Sequence, residues 1–505
     1  MHVGPTKSEK TIQALKRLQA SNRGIYCGPL RLMAYEVWKR FVDEGMSCDL
    51  VTGEERISAT DYFVNPKKFN DLESVIQKRD SIWKSKRRVS PLLDVQQLVS
   101  ATTEMLCVDT LYDVAVIDEI QLLGDQQRGW AWTRALLGVQ AHEVHLCGGA
   151  SAVPIVQDIC RELNEEVVIN EYPRLSPLKP NPLSMRSFYA SVKRGDCFVT
   201  ASRSDIFKHK DAIERVTGIR CAVIYDQLPA ETRAQQARLF NDPTSPYKVI
   251  VATDVIGMGL NLNIQRIIFE SLEDSSGNVT SIMPVPQVKQ IAGRAGHFNN
   301  AFSEGEVVCF SYGTSGYLVS ALKKPVSYLT QIGIQPEAEC LKLFAYHFPK
   351  DSIARLLIKY AAIAALDSRY FLCFGQEHVH ISSLLSSLPL TIEDRLIFTT
   401  APINLRNSAV VQFAFELAQA HAHGCTVDIS RLVTVPPISF TFAGPEYLEA
   451  FETAHECVML YLWLSFRLPF TLSDVEAAKS LKSTIENRIE FILPRVRLSN
   501  RKAPA

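Results

Sequence analysis

Short apolar runs, each followed by a stretch that reads as an amphipathic helix, recur in two successive sets along this chain. That alternation restricts the fold more than any other feature of the sequence. Runs that are continuously apolar are buried on both faces, the condition of a parallel sheet covered by crossover helices. The first set comprises Ile25–Cys27, Val114–Ile117 and Val144–Leu146, with a helix after Thr11 expected to bury Ile12, Leu15 and Leu18. The second comprises Cys197–Thr200, Cys221–Tyr225, Val249–Ala252, Ile267–Phe269 and Val307–Phe310. Between them, Pro173–Pro182 holds four prolines and reads as a linker. From about residue 330 the strands are expected to stop, and helical patterns cover Asp351–Leu366, Val410–His421 and Tyr447–Phe466. The expected class is therefore α/β: two tandem parallel-sheet domains, 1–172 and 173–328, then an α-helical C-terminal domain, 329–505. A chain of 505 residues also exceeds what one hydrophobic core supports.

Composition narrows the function classes. With 47% hydrophobic and 21% charged residues, the chain is too apolar to be disordered. Lys+Arg and Asp+Glu balance at 54 each, so a polyanionic partner has to be held by a local groove rather than by a global basic field. The 12 cysteines contain no C-x-x-C pair, which argues against zinc and against a disulfide framework. No apolar run has the length of a membrane span. The Gly4 loop follows Met1 almost at once, so no signal or transit segment is expected: either the protein stays where it is made, or this start is not the native one.

Four strings carry chemistry. Gly4-Pro-Thr-Lys-Ser-Glu-Lys-Thr11 is a phosphate loop at a helix start: backbone N–H groups and the helix dipole face the anion, Lys10 reaches the β/γ-phosphates and the Thr11 hydroxyl binds Mg²⁺. The nucleotide-binding set is Gly4, Pro5, Thr6, Lys7, Ser8, Glu9, Lys10 and Thr11, with Gly257 further on. Val114-Ala-Val-Ile-Asp-Glu-Ile-Gln121 puts Asp118 and Glu119 just after a buried strand, where one carboxylate is wanted for Mg²⁺ and another for the attacking water. Gln290-Ile-Ala-Gly-Arg-Ala-Gly-His297 offers Gln290 and Arg294 to the γ-phosphate. Val251-Ala-Thr-Asp-Val-Ile-Gly-Met-Gly-Leu-Asn261 ends a strand in Thr253, a hydroxyl donor for a sugar-phosphate chain.

Together these strings resemble a superfamily-two helicase. "GIYCGPLRLMAYEV", "VTGEER", "YDQLPAETRAQQARLFND", "TAPINLRN" and "LYLWLSFR" are similar to one branch, the mitochondrial RNA degradosome helicase of the suppressor-of-var-three type. The similarity runs nearly end to end. It implies two tandem RecA-like domains, use of ATP and Mg²⁺, unwinding of RNA, delivery to a 3′ exoribonuclease and a mitochondrial location. By match, Lys10 and Thr11 hold phosphate and metal, Asp118 binds the metal, and Glu119 activates water. Gln290 and Arg294 sense the γ-phosphate, while Pro29, Arg31, Thr102, Thr103 and Thr253 line the RNA backbone.

Four departures from the family pattern set further expectations. Glu9 replaces a glycine, so a carboxylate stands near bound phosphate, with Lys7 as a partial offset. His297 replaces a second arginine and cannot form its bidentate fork. The chain begins three residues ahead of Gly4, which shortens the central strand under the loop. Ser58–Val99 is longer than expected and includes Lys84, Lys86, Arg87 and Arg88. Glu9 and His297 support an alternative reading, a catalytically impaired RNA-binding scaffold that docks an exoribonuclease. The histidine pairs His378/His380 and His421/His423 lack a third ligand nearby and read as structural.

Overall fold

The computed structural model describes residues 1–6, 8–59, 96–174, 177–181, 189–274, 281–296, 304–437 and 444–497. They form two compact units. One holds 1–3, 9–172 and 332–334; the other holds 4–8, 173–331 and 335–505.

The first unit is built on eight strands: β1 (His2–Val3), β2 (Arg23–Gly28), β3 (Cys48–Val51), β4 (Arg56–Ile57), β5 (Gln97–Thr102), β6 (Leu111–Ile117), β7 (Gln140–Gly148) and β8 (Asn170–Glu171). Their order is β4-β3-β5-β2-β6-β7-β1-β8, parallel throughout except for the β3–β4 pair. The sheet is parallel because its centre is apolar on both faces: Val114 to Ile117 of β6 are each fully buried. The strand under the phosphate loop is only two residues long and lies between β7 and β8 rather than at the sheet's centre. Helix α1 (Lys10–Gln19) buries Ala14, Leu15 and Leu18 against the sheet. Ile12, expected on that face, is 37% exposed; at one turn from the helix start it faces away from the stripe set by Ala14 and Leu18. Helix α2 (Arg31–Asp43) covers the sheet with Trp38 and Phe41, and the Trp38 indole N–H donates to Cys48 O at 3.0 Å. Helices α3 (Gly129–Gly138) and α4 (Val153–Glu162) complete the crossovers.

The second unit carries β9 (Leu178–Asn181), β10 (Asp196–Val199), β11 (Arg220–Ile224), β12 (Tyr247–Ala252), β13 (Arg266–Phe269), a short hairpin β14 (Glu273–Asp274) and β15 (Ser281–Ile282), and β16 (Gly305–Cys309). Its six-stranded parallel sheet runs β11-β12-β10-β13-β16-β9. The proline-rich stretch is therefore not only a connection. Its residues Leu178–Asn181 form an edge strand, where Pro180 needs to donate no ladder hydrogen bond on its outer side. Strands also persist past residue 330, as β17 (Ile332–Ile334) and β18 (Tyr370–Leu372). The helical patterns form helices at Ile353–Ile363, Ser408–Ala422 and Pro445–Ser465. One core joins the sheet to the second and third of these helices, with Phe198, Phe207 and Tyr225 packed in the same cluster as Phe413, Phe451 and Tyr461, while Ile353, Leu356 and Leu357 of the first pack in a separate cluster. A buried polar node pins that core: the Arg203 guanidinium pairs with Glu452 at 2.8 Å, and Tyr225 OH donates to the same carboxylate at 2.5 Å. Among the described residues, no helix is long and apolar enough to cross a membrane.

Candidate nucleotide and nucleic-acid site

Three strands of the first unit end level at their carboxyl edge. In register, Cys27 faces Ile117 and Gly28 faces Thr102, so the residues after β2, β5 and β6 emerge side by side. This is the edge where open parallel sheets bind ligands. Asp118 and Glu119 follow β6, Pro29 and Arg31 follow β2, and Thr102 and Thr103 close β5.

At the helix start, the Thr11 hydroxyl donates to Asp118 Oδ1 at 3.1 Å and Tyr26 OH donates to Oδ2 at 3.1 Å. The Glu119 N–H also donates to Oδ1, at 3.0 Å. Burial pushes the Asp118 carboxyl up to about 6; the Glu119 charge adds to this, and Lys10 pulls back down. Lys10 itself is buried as the first residue of α1. A hydroxyl and a carboxylate oxygen this close are hard oxygen donors suited to Mg²⁺, which typically takes one or two protein oxygens and completes its shell with phosphate and water. The donor set therefore fits the metal that the phosphate loop implies.

Glu119 has a positive φ of 53° and begins the short turn Ile120–Gly124. Its carboxylate accepts from the Gln121 amide, whose carbonyl oxygen accepts from the Gly149 N–H at 2.9 Å. Gln121 thus ties Glu119 to the end of β7. Sequence reading quoted this glutamine without giving it a role. A Cβ on Gly148 would lie 2.9 Å from the Ile120 backbone nitrogen, so only glycine lets the two segments approach this closely.

Glu9 precedes α1 with φ 60° and ψ 11° and an exposed side chain that makes no capping bond. The position requires the left-handed backbone that glycine adopts freely, and here a glutamate adopts it. Lys7 and His297 lie outside the described residues, as do residues 60–95 of the basic insertion.

Along the neighbouring strand ends, Thr103 is buried and its hydroxyl donates to Gly28 O at 3.1 Å. The Pro29 carbonyl accepts from Arg128 at 2.6 Å, and Arg31 opens α2 half-buried. Arg128, which sequence reading missed, also pairs with Glu104 at 2.6 Å.

In the second unit, Thr253 follows β12 with its hydroxyl oxygen buried and without a hydrogen-bond partner among the described residues. Asp254, next to it, accepts from Gln287 at 2.7 Å. Arg294 donates to the carbonyls of Gly257 at 2.8 Å and Leu260 at 3.1 Å, joining two of the strings singled out in the sequence. Gly257 packs against Ile291 and Gln290. Loop residues Gly4–Ser8 fall in this unit by contact; Arg174 donates to Thr6 O at 3.2 Å, Gly293 O at 2.8 Å and Ala295 O. Arg174 sits in the proline-rich stretch, where no sequence signal marked it.

Three of the four histidines in the two pairs have identified neighbours. His421 meets Asp394 at 3.3 Å and Thr471 at 2.7 Å. His423 caps its helix before Gly424, whose φ is 67°, and His378 stacks on Phe374.

These positions coincide with matches to known families. Residues 1–76 and 85–172 match the DEXQ-box helicase domain of Suv3, and 184–299 match the helicase conserved C-terminal domain. Residues 380–422 match Suv3 C-terminal domain 1, and 448–495 match the ATP-dependent RNA helicase SUV3 C-terminal domain. The chain is 38% identical to the DExH-box ATP-dependent RNA helicase DExH16, mitochondrial, of Arabidopsis thaliana, an alignment that covers 99% of this chain and 81% of that protein.

The chain belongs to the Suv3 family of ATP-dependent RNA helicases.

The SUV3 helicase of Oryza sativa subsp. japonica is 37% identical, with 98% of this chain and 79% of that protein covered. Human SUPV3L1 is 36% identical, with 97% and 59% covered, so the chain spans about three fifths of that longer relative. All three relatives are named as mitochondrial. The Suv3 matches fall on the first parallel-sheet region and on the C-terminal helices, and the helicase conserved C-terminal domain falls on the second sheet, in agreement with the tandem RecA-like architecture.

Proposed function

We propose that this Suv3-family chain hydrolyses ATP to unwind RNA, with RNA/DNA or DNA duplexes as further substrates, in mitochondrial RNA degradation and surveillance. The observation that carries the reading is the Asp118 carboxylate, held between Thr11 and Tyr26 and directly followed by Glu119, whose own carboxylate is aimed by Gln121. Lys10 and the backbone of Gly4–Thr11 hold the triphosphate. Thr11 and Asp118 would hold Mg²⁺, which would supply charge neutralisation to the bound triphosphate. Glu119 orients the attacking water and takes up its proton, its carboxylate held by the Gln121 amide. Gln290 and Arg294 act on the γ-phosphate. Pro29, Arg31, Thr102, Thr103 and Thr253 follow the RNA backbone, which carries no sequence information and suits an enzyme that acts on any sequence. A 3′ exoribonuclease takes the released strand.

A second reading, the RNA-binding scaffold without turnover, is favoured by Glu9, whose exposed carboxylate stands at the start of α1 where phosphate would sit. One assay separates the two. RNA-stimulated ATP hydrolysis by the native protein, abolished in Lys10→Ala, supports the helicase. No native turnover, with turnover restored by Glu9→Gly together with His297→Arg, supports the scaffold.

A further inference from the structure

We infer that Arg128 and Trp132 form a coupling element, positioning residues through which occupancy of the nucleotide site and occupancy of the RNA-facing strand ends influence each other. The inference rests on the helicase reading above and adds to it two residues that touch neither proposed ligand.

The geometry is as follows. Trp132 is fully buried on α3, and its indole N–H donates to the backbone carbonyl of Asp118 at 2.9 Å. The Arg128 guanidinium lies over the same indole ring, 5.3 Å from its centre, within the range of a cation–π contact. Its nitrogens donate to Pro29 O at 2.6 Å and to Glu104 at 2.8 Å. Pro29 follows β2, and Glu104 follows Thr103 at the end of β5. Arg134, two residues beyond Trp132, donates to Leu106 O at 3.1 Å. One short helix therefore grips Asp118 through Trp132, and the residue that caps its start, Arg128, grips both RNA-facing strand ends.

Arg128 is itself held. Its backbone N–H donates to Asp125 Oδ1 at 2.7 Å, and a Cβ on Gly129 would meet the Leu123 backbone. A planar fork held at its base, over a ring and by two acceptors has little freedom to absorb a displacement, so movement of Asp118 is passed to Pro29 and Glu104. Burial supports this role over a purely local one: the path from Asp118 O through the indole to the guanidinium has no exposed link before Arg128.

The test is thermodynamic linkage in the full chain. The affinity of a non-hydrolysable ATP analogue is measured with and without a single-stranded RNA oligonucleotide, and RNA affinity with and without the analogue. Wild type is expected to show mutual tightening of about 5–150-fold, the usual range of such coupling. Arg128→Gln and Trp132→Phe are expected to bring that factor close to unity while each affinity measured alone stays within about threefold. Arg128→Lys, which keeps the charge but loses the fork, is expected to fall with them and serves if Arg128→Gln does not fold. Variants that keep the wild-type factor overturn the inference. So does a variant that weakens RNA binding alone and leaves the factor intact, since Arg128 would then only brace the RNA side. A wild type that binds neither analogue nor RNA overturns the helicase reading itself, a result distinct from either.

Discussion

Replacing Glu9 should tighten nucleotide binding with little change in stability. Its backbone sits at φ 60°, which costs a residue with a Cβ about 1 kcal/mol or more. Glycine relieves that strain but adds unfolded-state freedom worth about 0.4–1 kcal/mol. It also removes a carboxylate that favours a helix N-terminus by about 0.3–1 kcal/mol. The three effects nearly cancel, so thermal unfolding should move little. Binding has no such cancellation, because the carboxylate and a phosphate compete for the same positive helix end. At roughly 5 Å and an effective dielectric near 20, repulsion from one phosphate charge is about 3 kcal/mol, on the order of a hundredfold in affinity. Because the side chain is exposed and can turn to solvent, this is a ceiling. Titration with a fluorescent ATP analogue should show Glu9→Gly and Glu9→Gln binding about 10–100-fold tighter at low salt. The gain should shrink at high salt, where the Debye length falls to about 3 Å at 1 M. If Glu9→Gln matches wild type within twofold at low salt, the charge argument is wrong. A gain confined to Glu9→Gly would assign the effect to the Cβ.

Gly148→Ala should lower the urea midpoint by an amount equivalent to about 1–3 kcal/mol, because its Cβ would sit 2.9 Å from Ile120 N; an unchanged midpoint would show that the β7 end gives way freely. His2 is held down to about 4, first by burial and then by the His145 charge. Its depressed value contributes stability that is full above about 6.5 and lost as pH falls through about 4. Urea midpoints between pH 7 and 5 should therefore decline less in His2→Gln than in wild type, and equal slopes would argue against it. RNA affinity should fall steeply with salt and vary little with base sequence; a flat salt profile would remove the backbone-groove reading.

The parallel strands with continuous apolar runs were legible in the sequence, because burial on both faces imposes a local residue pattern, and the Lys10–Thr11 loop and the Asp118–Glu119 pair stood out there as candidates because phosphate chemistry imposes one too. Edge and near-edge strands were not. Leu178–Asn181 and Ile332–Ile334 are too short, and β9 too proline-rich, to show a period, so pairing with a neighbour alone makes them strands. Ile12 was assigned to the buried face of α1 because sequence spacing does not say where the sheet lies, and Ala14 takes that place. The loop's glutamate could be read as a departure from glycine, but its left-handed backbone emerged only once α1 was folded against the sheet.

What the sequence alone determined is the set of candidate groups for the chemistry, since their identity and order along the chain are local facts. Which of them meet, and what holds them, was decided by tertiary structure. Tyr26 reaches Asp118 across 92 residues, Arg128 reaches Pro29 across 99, and Gln121 reaches Gly149 across 28. Each contact depends on which strands lie side by side in the sheet, and strand order is a property of the whole core rather than of any segment in it.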